Sequence, residues 1–178
     1  MNIEVEIRSF ISKEKYESLS EFFKQNAKLV KEDYQETYYF DSEQDLRTQK
    51  NNQGSKIWLK KGKIHDDARE EIEVRFDGDN FDKVNEIFEV LGYGVEIKWF
   101  RKRFQFDWLG VKVCLDYTKG YGHIIELEKM ADDDDGKIEA LNLLRGKLKE
   151  LEVEETSKEE FNRKFEYYKS NWRELVNE

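Results

Sequence analysis

Glu4, Glu6 and Arg8 alternate with Ile3, Val5 and Ile7 at the start of the chain. Successive side chains of a β-strand point to opposite faces, so this stretch presents two carboxylates and a guanidinium on one side and only aliphatic groups on the other. Same-face neighbours lie roughly 7 Å apart, and two carboxylates at that spacing repel unless positive charge sits near them. Hard divalent cations take carboxylate oxygens, and a guanidinium suits a polyanion. A cation together with a polyanionic ligand would therefore resolve the conflict. The pattern recurs: Ile57 and Leu59 alternate with Lys56, Trp58 and Lys60, and Ile72, Val74 and Phe76 with Glu71, Glu73 and Arg75. Phe100, Phe104 and Phe106 lie near Arg101 and Arg103, Val113 and Leu115 flank Asp116, and Ile125 and Leu127 flank Glu126 and Glu128.

The elements that would position these groups are short. Strands are expected near 2–10, 33–41, 45–50, 56–61, 69–76, 96–107, 111–118 and 123–130, and helices over 13–27, 80–91, 137–151 and 157–176. Ser12 suits an N-cap of the first helix, Asp79 of the second, and Ser157 opens a capping box with Glu160. The second helix has Phe81, Val84, Ile87, Phe88 and Leu91 as its expected inner face, and the third has Ile138, Leu141, Leu144, Leu148 and Leu151. Strands joined mostly by turns imply an antiparallel sheet or barrel. A sheet with one solvated face produces this alternation too. Against that, nearly all the polar positions are Glu, Asp, Arg or Lys, and there are enough amphipathic helices to cover a closed barrel and turn its charged face inward. A barrel of about eight strands has room inside for side chains or one small ligand.

Bulk properties narrow the function classes. The chain has 178 residues, 40% of them charged, with a net charge of -9. Its 12 Phe, 9 Tyr and 4 Trp exclude a disordered tail. The acidic balance argues against nucleic acid or an anionic membrane as partner. No apolar run reaches transmembrane length, and the single Cys114 excludes a disulfide framework, so a cytoplasmic setting is expected. One domain over residues 1–178 is expected, since no linker divides the chain.

Several motifs in order resemble the CYTH superfamily, the triphosphate tunnel metalloenzymes, which include class IV adenylyl cyclases, thiamine triphosphatases and inorganic tripolyphosphatases. Glu4-Val5-Glu6-Ile7-Arg8 resembles the family's E-x-E-x-K, and Gln35 to Asp41 its second strand. Leu46-Arg47-Thr48-Gln49 is similar to L-R-I-R, Trp58 to Gly62 to L-T-x-K-G, and Arg69 to Glu73 to R-x-E-x-E. Arg101-Lys102-Arg103 with Phe106 is similar to K-x-R-x-x-Y, and Leu115-Asp116 with Gly120 to Glu128 to the family's last strand pair. The resemblance implies an α+β fold: a closed eight-stranded antiparallel β-barrel, the triphosphate tunnel, with helices packed outside. It implies Glu4, Glu6, Glu126, Glu128, Asp116, Glu71 and Glu73 as ligands of Mg²⁺ or Mn²⁺ or their supports. Arg8, Arg47, Lys60, Arg101 and Arg103 become phosphate binders; Arg75 joins them from strand parity alone. Glu4, Glu6 and Arg8 are the expected catalytic group. The implied partner is a small-molecule triphosphate (ATP, thiamine triphosphate or tripolyphosphate), handled by a monomer or homodimer.

Phosphoryl transfer depends mostly on positioning and charge stabilisation. Hydrolysis of an organic or inorganic triphosphate is the first expectation. The alternatives are a class IV, CyaB-type adenylyl cyclase making cyclic AMP and pyrophosphate, or a weakly catalytic triphosphate- or polyphosphate-binding module. Two departures bear on the choice: Arg8 replaces the family's Lys and cannot act as a base, and Gln49 replaces an Arg. Among weaker features, His65 and His123 lack metal-type spacing and read as structural or solvent-facing. Cys114 reads as a small core or tunnel-wall residue, Asp132 to Asp135 as a solvated turn before a helix, and Gly120 and Gly122 as turn residues. The aromatic stripe of the last helix reads as packing, and the resemblance puts Tyr168 or Lys169 near the tunnel mouth.

Overall fold

The computed structural model describes residues 3–60 and 71–177, with the side chains of Lys60 and Glu71 outside the description. The chain runs β1 (Ile3–Ile11), α1 (Lys13–Asn26), β2 (Lys28–Phe40), β3 (Asp45–Asn51), β4 (Gly54–Lys60), β5 (Glu71–Phe76), a short 3₁₀ turn, α2 (Phe81–Val90), β6 (Val95–Trp108), β7 (Val111–Thr118), β8 (Gly122–Ala131), α3 (Asp134–Glu150) and α4 (Lys158–Val176). The expected elements are thus present; residues 61 to 70, with His65, Lys61-Gly62 and Arg69-Glu70, lie outside the described residues.

Among the described residues the expected closed barrel is not formed. Hydrogen bonding orders the strands β1-β8-β7-β6-β2-β3-β4-β5, so β1 and β5 are edges and the eight-stranded antiparallel sheet is open. Closure requires the outermost strands to bond to each other with a fixed stagger. Here β1 has β8 as its neighbour and β5 has β4, and a two-faced strand is as compatible with an open sheet as with a barrel. The α+β class stands.

Contacts group the chain into two compact units, Met1–Glu32 with Lys102–Tyr168, and Asp33–Arg101 with Lys169–Glu178. In the first, the aliphatic faces of three strands (Val5, Ile7, Val113, Leu115, Ile125 and Leu127) meet Leu19 and Phe23 of α1 and Leu144 and Leu148 of α3. Each such side chain contributes roughly 1.5–3 kcal/mol on burial. Ser12 Oγ caps α1 by accepting from Lys15 N at 3.1 Å, and Asp133 caps α3 by accepting from Gly136 N at 2.8 Å. Ile138 turns outward, 61% exposed, while Ala140 fills the buried position. Ser157 Oγ accepts from Glu160 N at 3.2 Å, and the stripe of α4 that follows buries Phe161 and Tyr168.

In the second unit Asp77, not Asp79, caps the 3₁₀ turn before α2, accepting from Asp79 N at 3.0 Å. The inner face of α2 also departs from expectation: Phe81 and Asn85 are buried, whereas Ile87 and Leu91 are 57% and 66% exposed. Thr48 of β3 donates to Asn85 Oδ1 at 2.6 Å, so a polar partner holds the inward position that apolar periodicity would assign elsewhere. Trp172 donates its indole N–H to Glu96 O at 2.8 Å.

Candidate functional site

Antiparallel pairing sets the charged face of the first unit as rows across β7, β8 and β1. Lys112, Glu128 and Glu6 form one row, Cys114, Glu126 and Arg8 the next, and Asp116, Ile124 and Phe10 a third. This face is opposite to the one the helices α1 and α3 cover, yet Asp116, Glu126 and Glu128 are 2%, 9% and 6% exposed. Solvent does not wash this part of the face, which decides against an ordinary half-solvated sheet.

Cations within the unit meet these carboxylates. Arg103 on β6 donates to Asp116 with Nε at 2.8 Å and Nη2 at 2.5 Å, and its Nη2 also pairs with Glu126. Burial opposes the Arg103 charge, but the bonds to Asp116 and the charge of Glu126 outweigh it and hold the guanidinium ionised. Lys112 pairs with Glu128. Burial pushes Glu128 above the usual carboxylate range, with Lys112 pulling the other way. Glu6 is the extreme case. Its carboxyl is pushed up to about 7, first by loss of hydration and then by Glu126, Glu128 and Glu4, with Arg8 in opposition.

Cys114 is fully buried on the charged face, and its Sγ and one oxygen each of Glu126 and Glu128 lie within 4.8 Å of one another. Burial pushes its thiol up to about 12 despite Arg103, so it is a poor nucleophile. Arg8 stacks over Phe161 with its Cζ 4.5 Å from the ring centre. Phe161 also packs against Phe10, which meets Tyr121 edge-on, and Tyr121 meets Tyr168 in the same way. Tyr168 is fully buried and Lys169 pairs with Glu96 at 2.6 Å. His123 stacks between Tyr16 and Tyr117, and burial lowers its proton affinity.

The second unit carries a polar face of its own. Arg47 is held by Asp45, with both contacts at 2.6 Å, and lies 4.3 Å over the Tyr39 ring. Arg101 donates to Gln35 Oε1 at 2.8 and 2.6 Å. Gln49 donates to Thr37 at 3.0 Å. Glu73 accepts from Lys56 at 2.7 Å and from Arg75 at 2.8 Å, which keeps it below the usual carboxylate range. Lys60 and Glu71 lie opposite each other in the β4–β5 register.

Of the residues expected from sequence, Glu4, Glu6, Arg8, Arg103, Asp116, Glu126 and Glu128 therefore gather in the first unit. Arg47, Arg75, Arg101 and Glu73 belong to the second. Sequence reasoning missed Lys112, Asp45, Gln35 and Asp33. Lys112 and Asp45 share strand parity with residues it did select, so parity alone pointed to them. Asp33 is fully buried and accepts from Gln35 at 2.9 Å and from the Asn52 amide at 3.3 Å, a role that becomes visible only when β2 and the β3–β4 turn meet.

The CYTH domain family matches residues 2–161. This chain belongs to the CYTH family. Comparison with curated proteins gives no match. Among solved structures, this CYTH chain is similar to a Pyrococcus furiosus protein with a TM-score of 0.65 and 24% identity, covering 85% of this chain and 92% of that one. A Pyrococcus horikoshii protein matches at 0.62 and 26%, covering 86% and 92%. A Hippeastrum protein, named as an adenylyl cyclase but with a dominant triphosphatase activity, matches at 0.62 and 20%, covering 92% and 95%. No described helix is long and apolar enough to cross a membrane.

Proposed function

We propose that this CYTH chain hydrolyses an organic or inorganic triphosphate with a divalent cation, Mg²⁺ or Mn²⁺, as cofactor. The observation that carries the reading is the carboxylate group of the first unit, in which Glu126 and Glu128 are buried and Glu6, exposed on β1, stands opposite Glu128. Glu6, Glu126 and Glu128 crowd one another enough that Glu6 keeps its proton to about pH 7. A set of oxygen donors under mutual repulsion suits a hard cation, whose arrival would discharge it. Glu4, Glu6, Glu126 and Glu128 would hold the ion, with Asp116 behind them as the anchor of Arg103. When bound, such an ion withdraws charge from phosphoryl oxygens.

The chain's own residues divide the remaining work. Arg8, stacked on Phe161, presents a permanently charged guanidinium to the same face and binds phosphate without accepting a proton. Arg103 is tied to Asp116 and Glu126, so it holds the carboxylates in place as well as supplying charge. Glu4 and Glu6 join Arg8 in the catalytic group by holding the ion against the phosphate that Arg8 binds. Within the second unit, Arg47, Lys60, Arg75 and Arg101 are the groups suited to phosphate, and Glu71 and Glu73 the acidic groups beside them. The dominant triphosphatase activity of the Hippeastrum neighbour favours hydrolysis over cyclisation.

The test is product analysis with ATP, thiamine triphosphate and tripolyphosphate, each with Mg²⁺, Mn²⁺ or chelator. Metal-dependent orthophosphate release is the expected result. Cyclic AMP with pyrophosphate would replace hydrolysis by the cyclase alternative. Tight binding without turnover would reduce the chain to a binding module, with Arg8 and Gln49 as the first positions to change to Lys and Arg. Absence of both turnover and binding overturns the reading.

A further inference from the structure

Trp58 lies on the polar face of the second unit, between Arg47 on β3 and Glu73 on β5 in the strand register. It is 6% exposed, and its Nε1–H has no hydrogen-bond partner among the described residues. An indole nitrogen is a donor only, and a buried N–H without an acceptor has lost water and gained nothing in return. Such an orphan in a folded protein calls for an explanation.

The nearby carboxylates of Asp45, in the adjacent row, and Glu73, in its own, do not provide one. Asp45 is taken by Arg47, and Glu73 by Lys56 and Arg75. Cations, not acceptors, flank the ring: Lys56 Nζ lies 4.3 Å from its centre and Arg47 Cζ 5.5 Å. An incoming acceptor is therefore favoured when it is anionic. With so little of the ring exposed, a nucleobase has no face to stack on, so the N–H is the part of Trp58 left with chemistry to do.

We propose that the Trp58 indole N–H is a hydrogen-bond donor to a phosphoryl oxygen of the bound triphosphate, between Arg47 and Lys56. This rests on the triphosphate reading above and adds to it a neutral donor. Such a donor binds an anion without the ion-pair competition that Asp45 and Glu73 impose on the neighbouring cations.

The test uses the full chain labelled with ¹⁵N and an imido-bridged tripolyphosphate analogue with Mg²⁺ as probe. Trp58→Phe assigns the Trp58 indole signal among those of Trp99, Trp108 and Trp172. Analogue binding, measured by calorimetry, is expected to move that signal downfield in the wild-type chain. Trp58→Phe is expected to weaken binding roughly 10- to 100-fold, the loss of one hydrogen bond to a charged acceptor. Its unfolding temperature should stay level or rise, because the orphan donor is gone. If the analogue binds but the Trp58 signal stays still and Trp58→Phe binds equally well, the inference is overturned while the triphosphate reading stands. If the wild-type chain binds no analogue at all, both fall together. If Trp58→Phe fails to fold, triple-resonance spectra of the wild-type chain assign the Trp58 signal, and its response to the analogue still decides the matter.

Discussion

Replacing Arg103 by Met is the most informative perturbation of the acidic group. The Arg103 side chain is 17% exposed and contacts Asp116, whose side chain is 2% exposed, and Glu126, at 12%. Methionine fills a similar volume but leaves two carboxylates in a poorly hydrated place with no guanidinium. Removing one partner of a buried ion pair costs about 3–5 kcal/mol, since the other partner's charge is left uncompensated. For a chain of this size each kcal/mol corresponds to roughly 2–4 °C, so the unfolding temperature should fall by about 6–20 °C. The measurement is urea and thermal unfolding in chelator, at pH 8 and at pH 5. The loss should be smaller at pH 5, because proton uptake relieves an uncompensated carboxylate charge in the variant. Adding Asp116→Asn to the Arg103→Met chain should recover part of the loss at pH 8. A decrease below about 1 kcal/mol, the range of exposed ion pairs, or a loss equal at both pH values, would refute the assignment of Arg103 as the counterion of buried carboxylates.

Two further expectations concern other groups. Glu6 is raised to about 7 in the folded chain, so its contribution to stability without metal is fully present below about pH 4.5 and is lost as pH rises through 7; Glu6→Gln should flatten that part of the stability-pH curve in chelator and abolish metal-dependent turnover, and an unchanged slope would count against the crowding of Glu6. Asn85→Ala should cost about 1–3 kcal/mol by stranding the buried Thr48 hydroxyl, whereas Asn85→Leu combined with Thr48→Val should recover much of it in urea unfolding; a double variant no better than Asn85→Ala would show that this bond is not what fixes α2.

The strands were legible because alternation is a strong local signal, and β7 ends at the residues expected of it, Val111 and Thr118. Closure was not legible. Whether β1 and β5 bond to each other depends on the geometry of the whole sheet, and no residue of Ile3–Ile11 or Glu71–Phe76 records it. The α2 face failed for a different reason: 3.6-residue spacing fits Phe81 with either Asn85 or Val84 and Ile87, and only Thr48, a residue 37 positions earlier, makes the polar choice favourable. In the site, Glu126 and Glu128 could be picked by type and register. That Arg103 serves Asp116 and Glu126 could not, since one motif contains the cation and two others the carboxylates.

The pairing of β1 with β8 places Glu6 opposite Glu128, and among the described residues β1 has β8 as its one neighbour in the sheet. At roughly 5–20 residues per second, a ribosome reaches position 128 some 6–24 s after position 6. Throughout that interval the first strand has no partner to pair with. Its alternating charges then have a second use: Glu4, Glu6 and Arg8 discourage a growing chain from pairing with its neighbours, as charged residues do on sheet edges. The acidic group is also among the last parts of the molecule to come into being. Under the proposed function a cation would find its ligands together only after the eighth strand has docked, which would couple acquisition of the metal to completion of the fold.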